Sequence, residues 1–453
     1  MTEAFDAVCD RIRERVEPDE AEREALTAAL DELLARTEAA VEDLPVEADV
    51  VRVGSTARDT WLAGERDIDL FVCFPPDLDR ERLEEYGLAV GRTVLPDGQE
   101  EFAEHPYVVG EIAGFEIDLV PCYAVEDATA IQSAVDRTPF HTRYVADRLD
   151  EQLASDVRLC KQFFTGIGVY GSDLRTRGFS GFLTELLVLE YGGFRPFIEA
   201  VADWHPPVRF DPADHGDATF DDPLVVIDPT DPERNVAAVC SRPNVARVQH
   251  FARELLADPD TALFEPFEPD PVAESTVRDR FDSRGTTPIA IRFDPPDIVD
   301  DQLWPQLERS RAGLADELDR RGFEVLRSDA FATDDDAALL FELAVAERPA
   351  IERHEGPPVH IRDHAAGFYG RYADSSAYGP FIDGDRYVVE RQREFETARE
   401  LLASDALFDV ALGAHVESTL RDTYELLVER EVATLAGSFG QELARYLAPT
   451  PRR

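Results

Sequence analysis

The sequence predicts an α+β chain. Three observations carry that expectation: a leucine stripe at helical spacing near the start, short β-branched or aromatic runs bounded by Gly or Pro, and a late strand-helix-strand-strand succession. Residues 1–44 read as two helices broken at Pro18, the second carrying Leu26, Leu30, Leu33 and Leu34 on one face. Val50–Val53, Ile68–Phe74 and Phe115–Val120 read as strands of a small sheet with helices on one face. From about residue 143 the pattern turns helical, with Leu149, Leu153, Val157 and Cys160 on one stripe and Ser180–Leu189 closing at Gly192. Residues 205–235, rich in Pro and Asp, read as irregular connection before a helix entered at Pro232 and capped by Asp231, and residues 265–287 read as a linker. Ile289–Phe293, Leu303–Arg321, Phe323–Arg327 and Leu339–Val345 then give a β-α-β-β order, as in ferredoxin-like units, before a mainly helical end. Three domains follow: 1–142, 143–265 and 266–453.

Composition bounds the function. Of 453 residues 94 are acidic and 46 basic, a net charge of -48, while 44% hydrophobic content and 27 Phe supply material for packed cores and exclude intrinsic disorder. One of the basic residues is lysine, Lys161; the others are arginine. A surface dense in Asp and Glu and nearly free of Lys suits concentrated salt, where the Debye length falls to about 3 Å at 1 M. The charge therefore reports habitat and does not exclude a nucleic-acid partner, an exclusion that holds only in dilute buffer. Cys9, Cys73, Cys122, Cys160 and Cys240 stand far apart without a C-x-x-C pair, which argues against a disulfide framework or structural zinc. The start lacks a basic and apolar leader and no 18-residue apolar run occurs, so a cytoplasmic, reduced protein with no membrane partner is expected.

The densest chemical signal is Gly54-Ser55-Thr56-Ala57-Arg58 followed, with eleven residues between Ser55 and Asp67, by Asp67-Ile68-Asp69 leading into a strand. Residues two apart on a strand face the same way, so Asp67 and Asp69 converge while Ile68 enters the core. Two carboxylates on one face suit a cation, and Mg²⁺ completes an octahedral shell with waters and nucleotide phosphates. In so acidic a chain an acid-any-acid triplet arises by chance roughly twenty times, so the context decides. Gly-Ser after a strand offers backbone N–H groups and a hydroxyl at a helix start, where phosphate binds. Asp118, in Glu116-Ile117-Asp118-Leu119, alternates away from the core and on a neighbouring strand completes a two-metal site; Glu116 is set aside as a solvated acid.

Gly54-Ser55 with Asp67-Ile68-Asp69 and Asp118 resembles the signature of the nucleotidyltransferase superfamily that includes DNA polymerase β. Arg137-Thr138-Pro139-Phe140-His141-Thr142, Val157-Arg158-Leu159-Cys160-Lys161, Gly168-Val169-Tyr170-Gly171-Ser172 and Arg177-Gly178-Phe179-Ser180-Gly181 narrow the resemblance to the archaeal, class I CCA-adding tRNA nucleotidyltransferases. The resemblance implies a nucleotidyltransferase head, a helical neck completing the nucleotide pocket, and a C-terminal body and tail that grip the acceptor stem and elbow of tRNA. It implies Asp67, Asp69 and Asp118 as catalytic Mg²⁺ ligands, although relatives can carry Glu at the position of Asp67. It assigns Ser55 and Arg58 to phosphate, Lys161 and Tyr170 to the triphosphate tail, His141 to phosphate or ribose, and Arg234 to the incoming base of ATP or CTP, read together with tRNA phosphate. Lys161 has independent support, since a lone lysine departs from the chain's own habit and its compact ammonium acts as a point charge on phosphate. Arg175, Arg177, Arg452 and Arg453 are candidate tRNA phosphate contacts, and a homodimer is one state considered. The rivals are a poly(A) polymerase or oligoadenylate synthetase-like enzyme, which would use ATP alone, and a catalytically dead RNA-binding relative.

Overall fold

A computed structural model describes residues 2–216 and 218–451, so Arg452 and Arg453 lie outside the described residues. The chain divides into two compact units, one running to Phe267 and taking in Pro451, the other Glu268–Thr450. No helix among the described residues is long and apolar enough to cross a membrane.

The first unit opens with α1 (Thr2–Val16) and α2 (Glu20–Glu42), separated at Pro18, where Asp19 and Glu22 form a capping box. β1 (Asp49–Val53) runs into the single turn α3 (Gly54–Ala57), followed by β2 (Asp67–Phe74), α4 (Arg80–Val94), β3 (Gln99–Phe102), β4 (Pro106–Ile112) and β5 (Phe115–Tyr123). The sheet order is β1-β2-β5-β4-β3, with β2 and β5 parallel and the other neighbours antiparallel. Ile68, Leu70, Val72, Phe74, Ile117 and Leu119 point to one face and pack on Leu26, Leu30 and Leu33 of α2 and on Leu83 and Val90 of α4. Burying each such side chain contributes about 1.5–3 kcal/mol. The opposite face carries Asp67, Asp69 and Asp118 at one end and, further along the same strands, Phe71, Cys73, Val120 and Cys122 in a small apolar cluster. All five cysteines are buried and free.

The rest of this unit is α5 (Thr138–Ala146), α6 (Glu151–Gly166), α7 (Gly181–Tyr191), α8 (Phe194–Ala202), β6 (Val208–Phe210), β7 (Leu224–Asp228), β8 (Asp231–Asn235) and α9 (Arg242–Ala257), around a core rich in phenylalanine, among them Phe163, Phe164, Phe194, Phe197 and Phe264. Ser180 caps α7 and Gly192 ends it at φ 73°, a left-handed position that favours glycine. Two expectations fail here. Residues 205–235 contain a three-stranded sheet, β6-β7-β8, and Asp231–Asn235 is its edge strand rather than a capped helix start. The helix begins at Arg242 with Ser241 as its cap. Asp-Pro-Glu has the chemistry of a helix entry, but Asn235 Oδ1 accepts from the amides of Val226 (2.8 Å) and Ala237 (2.9 Å), which ties the segment to β7.

The second unit places α10 (Glu274–Arg284) where a linker was expected, with Val277 and Phe281 buried. It continues β9 (Thr287–Phe293), α11 (Asp300–Arg320), β10 (Val325–Ala332), β11 (Ala337–Leu343), β12 (Ile351–Pro358), α12 (Arg362–Tyr372), β13 (Tyr378–Asp383), β14 (Arg386–Gln392), α13 (Ala398–Leu402), α14 (Ala414–Asp422), β15 (Glu425–Val428) and α15 (Ala436–Leu447). The order β10-β11-β9-β15 is that of a ferredoxin-like sheet whose second helix and last strand, α14 and β15, come after an inserted sheet β12-β14-β13. α11 and α14 cover one face through Leu307, Leu314, Val416 and Leu420. α10 and α15 cover the other through Phe281, Phe439 and Leu443.

Candidate active site

Register builds the site. In the parallel pair, Asp67 lies beside Glu116 and Asp69 beside Asp118, while across the antiparallel pair Asp69 faces Val53. The chain therefore turns at Gly54 immediately above Asp69. The resulting cleft, about 520 Å³, is lined by Gly54, Ser55, Arg58, Asp67, Asp69 and Asp118, and from the helical part by Lys161, Tyr170, Gly181 and Phe182. Glu116 and Glu65 line it too, Glu116 as an exposed acid.

The carboxylates crowd one another. Burial raises the pKa of Asp69 against the pull of Arg58, with Asp67 adding to the rise. Asp118 is pushed up to about 6 by burial, then by the charges of Asp69, Glu116, Glu101 and Asp67. Among the described residues no group of three or more His, Cys, Asp or Glu is drawn together as a preformed metal cage. The three aspartates instead share one wall of an open cleft, and their mutual repulsion is what a hard divalent cation relieves. Oxygen donors of this kind fit Mg²⁺, which takes one or a few carboxylates and fills its shell with water and phosphate.

Arg58 crosses to the helices. Its Nε donates to Glu185 Oε1 (2.9 Å) and its NH1 to Thr142 Oγ1 (3.1 Å). Lys161 is 2% exposed, and its Nζ donates to the Thr60 carbonyl at 2.8 Å. Burial lowers the Lys161 pKa, with Glu185 and Glu65 opposing. Burial likewise raises the Tyr170 phenol. Gly181 opens α7 beside both groups, since a Cβ there would lie 3.3 Å from the Tyr170 hydroxyl and 3.9 Å from Lys161 Nζ.

His141 and Arg234 do not line this cleft. They meet on one atom, Asp228 Oδ2, to which His141 Nε2 lies at 2.8 Å and Arg234 NH1 donates at 2.6 Å. His141 reaches the cleft wall through Phe182, the rings stacked with centroids 3.9 Å apart. Burial pushes Asp228 up, but the hydrogen bonds from His141 and Thr230 outweigh it and hold the carboxyl well below the usual range. Arg175 and Arg177 are exposed, away from the cleft lining, and Arg177 stands at φ 52° with its carbonyl taken by the amide of Ser241 (2.9 Å). The sequence reading missed Glu185, Thr60 and Asp228, and named Thr142 only as the end of the Arg137–Thr142 segment. All four act on partners remote in sequence or lie buried inside ordinary elements.

Sheet, glycine corner and acidic cleft define a nucleotidyltransferase, and a model of the nucleotidyltransferase domain matches residues 34–141. A tRNA nucleotidyltransferase second domain follows at 155–265 and a CCA-adding enzyme C-terminal domain at 284–429. The chain belongs to the family of CCA-adding enzymes. It is 64% identical to the CCA-adding enzyme of Haloarcula marismortui over 100% of both chains, and 61% identical to that of Halorubrum lacusprofundi over 99% of each. It is 39% identical to that of Methanosarcina barkeri over 94% of each.

Proposed function

We propose that the chain adds C, C and A stepwise to the 3′ end of tRNA from CTP and ATP, releasing pyrophosphate. The observation that supports this most is the register Asp69↔Asp118 beneath the Gly54 corner, in a cleft whose other wall carries Lys161 and Tyr170. Asp67, Asp69 and Asp118 would hold Mg²⁺, which supplies charge neutralisation at the phosphates and a lowered pKa for the attacking hydroxyl. Ser55 and the start of α3 receive phosphate oxygens, Arg58 and Lys161 balance their charge, and the Tyr170 hydroxyl donates to the tail of the triphosphate. Family membership supports tRNA and nucleotide as substrates, and the acidic, lysine-poor surface supports a cytoplasm rich in salt. Arg234, fixed by Asp228, is suited to reading the base, because a guanidinium donates to acceptors of either cytosine or adenine.

The test is incorporation of labelled CTP and ATP into tRNA ending at the discriminator base, in molar KCl with Mg²⁺. Addition of CMP, CMP and then AMP supports the reading. Incorporation of AMP alone would point to an adenylating polymerase.

A further inference from the structure

α7 is an apolar helix with one charge in its buried face. Glu185 lies among Leu183, Leu186, Leu187 and Val188, all buried, and is itself 0% exposed. A carboxylate in such a place is costly unless its partners compensate it. Glu185 Oε1 accepts from Arg58 Nε at 2.9 Å and from Thr60 Oγ1 at 2.6 Å, reaching 127 and 125 residues back along the chain. Its Oε2 is buried and has no hydrogen-bond partner among the described residues. The Arg58 side chain is 9% exposed, and its NH1 is held by Thr142 at 3.1 Å. The guanidinium is thus anchored on two sides while still lining the cleft. A leucine at 185 would serve packing as well as its neighbours do; what the carboxylate adds is a fixed orientation of one cation and of the loop that carries it.

We propose that Glu185 is a positioning residue for the nucleotide: acting through Arg58, it presents the guanidinium to the triphosphate in a single orientation. This rests on the reading of the cleft as a nucleotide site. The arrangement lowers the entropy lost when phosphate binds, because a long side chain is already ordered. It affects CTP and ATP alike, since both carry the same triphosphate, and leaves tRNA binding untouched.

The experiment uses the full chain in molar KCl with Mg²⁺ and compares wild type, Glu185→Gln, Arg58→Ala and the double variant, reading kcat, KM for CTP and ATP, KM for tRNA, and thermal unfolding. Glu185→Gln keeps the shape and weakens a charge-assisted hydrogen bond, so KM for both nucleotides rises by about tenfold. KM for tRNA stays within about twofold, and the same substitution adds less than about twofold in the Arg58→Ala chain, the mark of two residues acting as one. Glu185→Asp, which keeps the charge but draws it back by a methylene, gives an intermediate rise and carries the comparison if the glutamine variant does not fold. Additive effects, an unchanged nucleotide KM, or a tRNA KM rising in step would each overturn the proposal. A wild-type chain that adds no nucleotide to tRNA would instead overturn the reading on which it rests.

Discussion

A side-chain carbon on Gly54 would stand 1.8 Å from Oδ2 of Asp69. Gly54 also adopts φ 75°, where residues with a Cβ are strained. The corner after β1 and the carboxylate on β2 thus occupy space that only hydrogen on Cα leaves open. Gly54→Ala must push Asp69 aside or unwind the corner. Turnover is expected to fall by at least about a hundredfold, with a stability loss of about 1–2 kcal/mol, because misplacing one reacting group costs far more than the strain itself. Single-turnover incorporation of CTP alongside thermal unfolding checks both. Full activity in the alanine variant would mean that Asp69 is not held where the reaction occurs.

Asp69 and Asp118 repel each other in a partly buried cleft, so their charged forms oppose the fold. Asp69→Asn is expected to lower turnover by about a thousandfold or more, since each metal-holding carboxylate supports several kcal/mol of charge stabilisation. The metal-free variant should unfold at a temperature equal to or above wild type. Chelation with EDTA should abolish incorporation while leaving circular dichroism unchanged. A variant that incorporates CTP at the wild-type rate removes Asp69 from the reaction.

The parts of this site visible in the sequence are those governed by local periodicity. Asp67-Ile68-Asp69 alternates with period two, and Ile68 is 1% exposed while both acids turn to the cleft. Ser180 and Gly192 announce the ends of α7 by their own side-chain chemistry. β3, Gln-Glu-Glu-Phe, is exposed throughout and carries no apolar alternation, so nothing local could disclose it. α10 buries only Val277 and Phe281, four apart in a charged segment, too thin a stripe to distinguish from a linker. Asp231–Asn235 reads as a helix entry because Asp-Pro-Glu fits one, and pairing with β7, set by Asn235, overrides that preference. Glu185 is hidden for the opposite reason: helix α7 is easily recognised, but its partners lie more than a hundred residues away.

In the second unit Glu342 on β11 is 0% exposed and accepts from Arg284 Nε, from Thr286 Oγ1 (2.6 Å) and from Arg327 NH2 (3.0 Å). Burial raises its carboxyl, but these hydrogen bonds outweigh it and the net shift is downward. A carboxyl with a depressed folded-state pKa contributes stability above its unfolded value, and that contribution is lost as pH falls through the folded value. Glu342→Gln, which leaves two part-exposed arginines without their anion, should cost about 1.5–3 kcal/mol at pH 7. The gap between wild type and variant should close as pH falls below about 4.5, the ordinary glutamate value. Denaturant unfolding from pH 7 to pH 3 measures it, and a gap that widened in acid would reverse the sign argued for Glu342.

Lys161 is this chain's one lysine, and its buried position predicts that arginine, the usual cation here, does not fit. Its side chain is 2% exposed at the cleft wall, its Nζ reaches the Thr60 carbonyl at 2.8 Å, and a Cβ on Gly181 would lie 3.9 Å from Nζ. An arginine must fit a planar guanidinium into a slot shaped for a tetrahedral ammonium, so the charge is retained but the volume and geometry are not. Overpacking of this kind costs about 1–3 kcal/mol, and the swollen head displaces either the Thr60 loop or the Tyr170 hydroxyl. Lys161→Arg should therefore raise KM for both nucleotides by about tenfold and lower the unfolding temperature. Lys161→Met, which keeps length and packing without the charge, should retain stability and still lose nucleotide affinity. The pair separates charge from shape: if arginine restored wild-type kinetics, the lone lysine would be an accident of sequence, and if methionine did, its ammonium would have no part in holding phosphate.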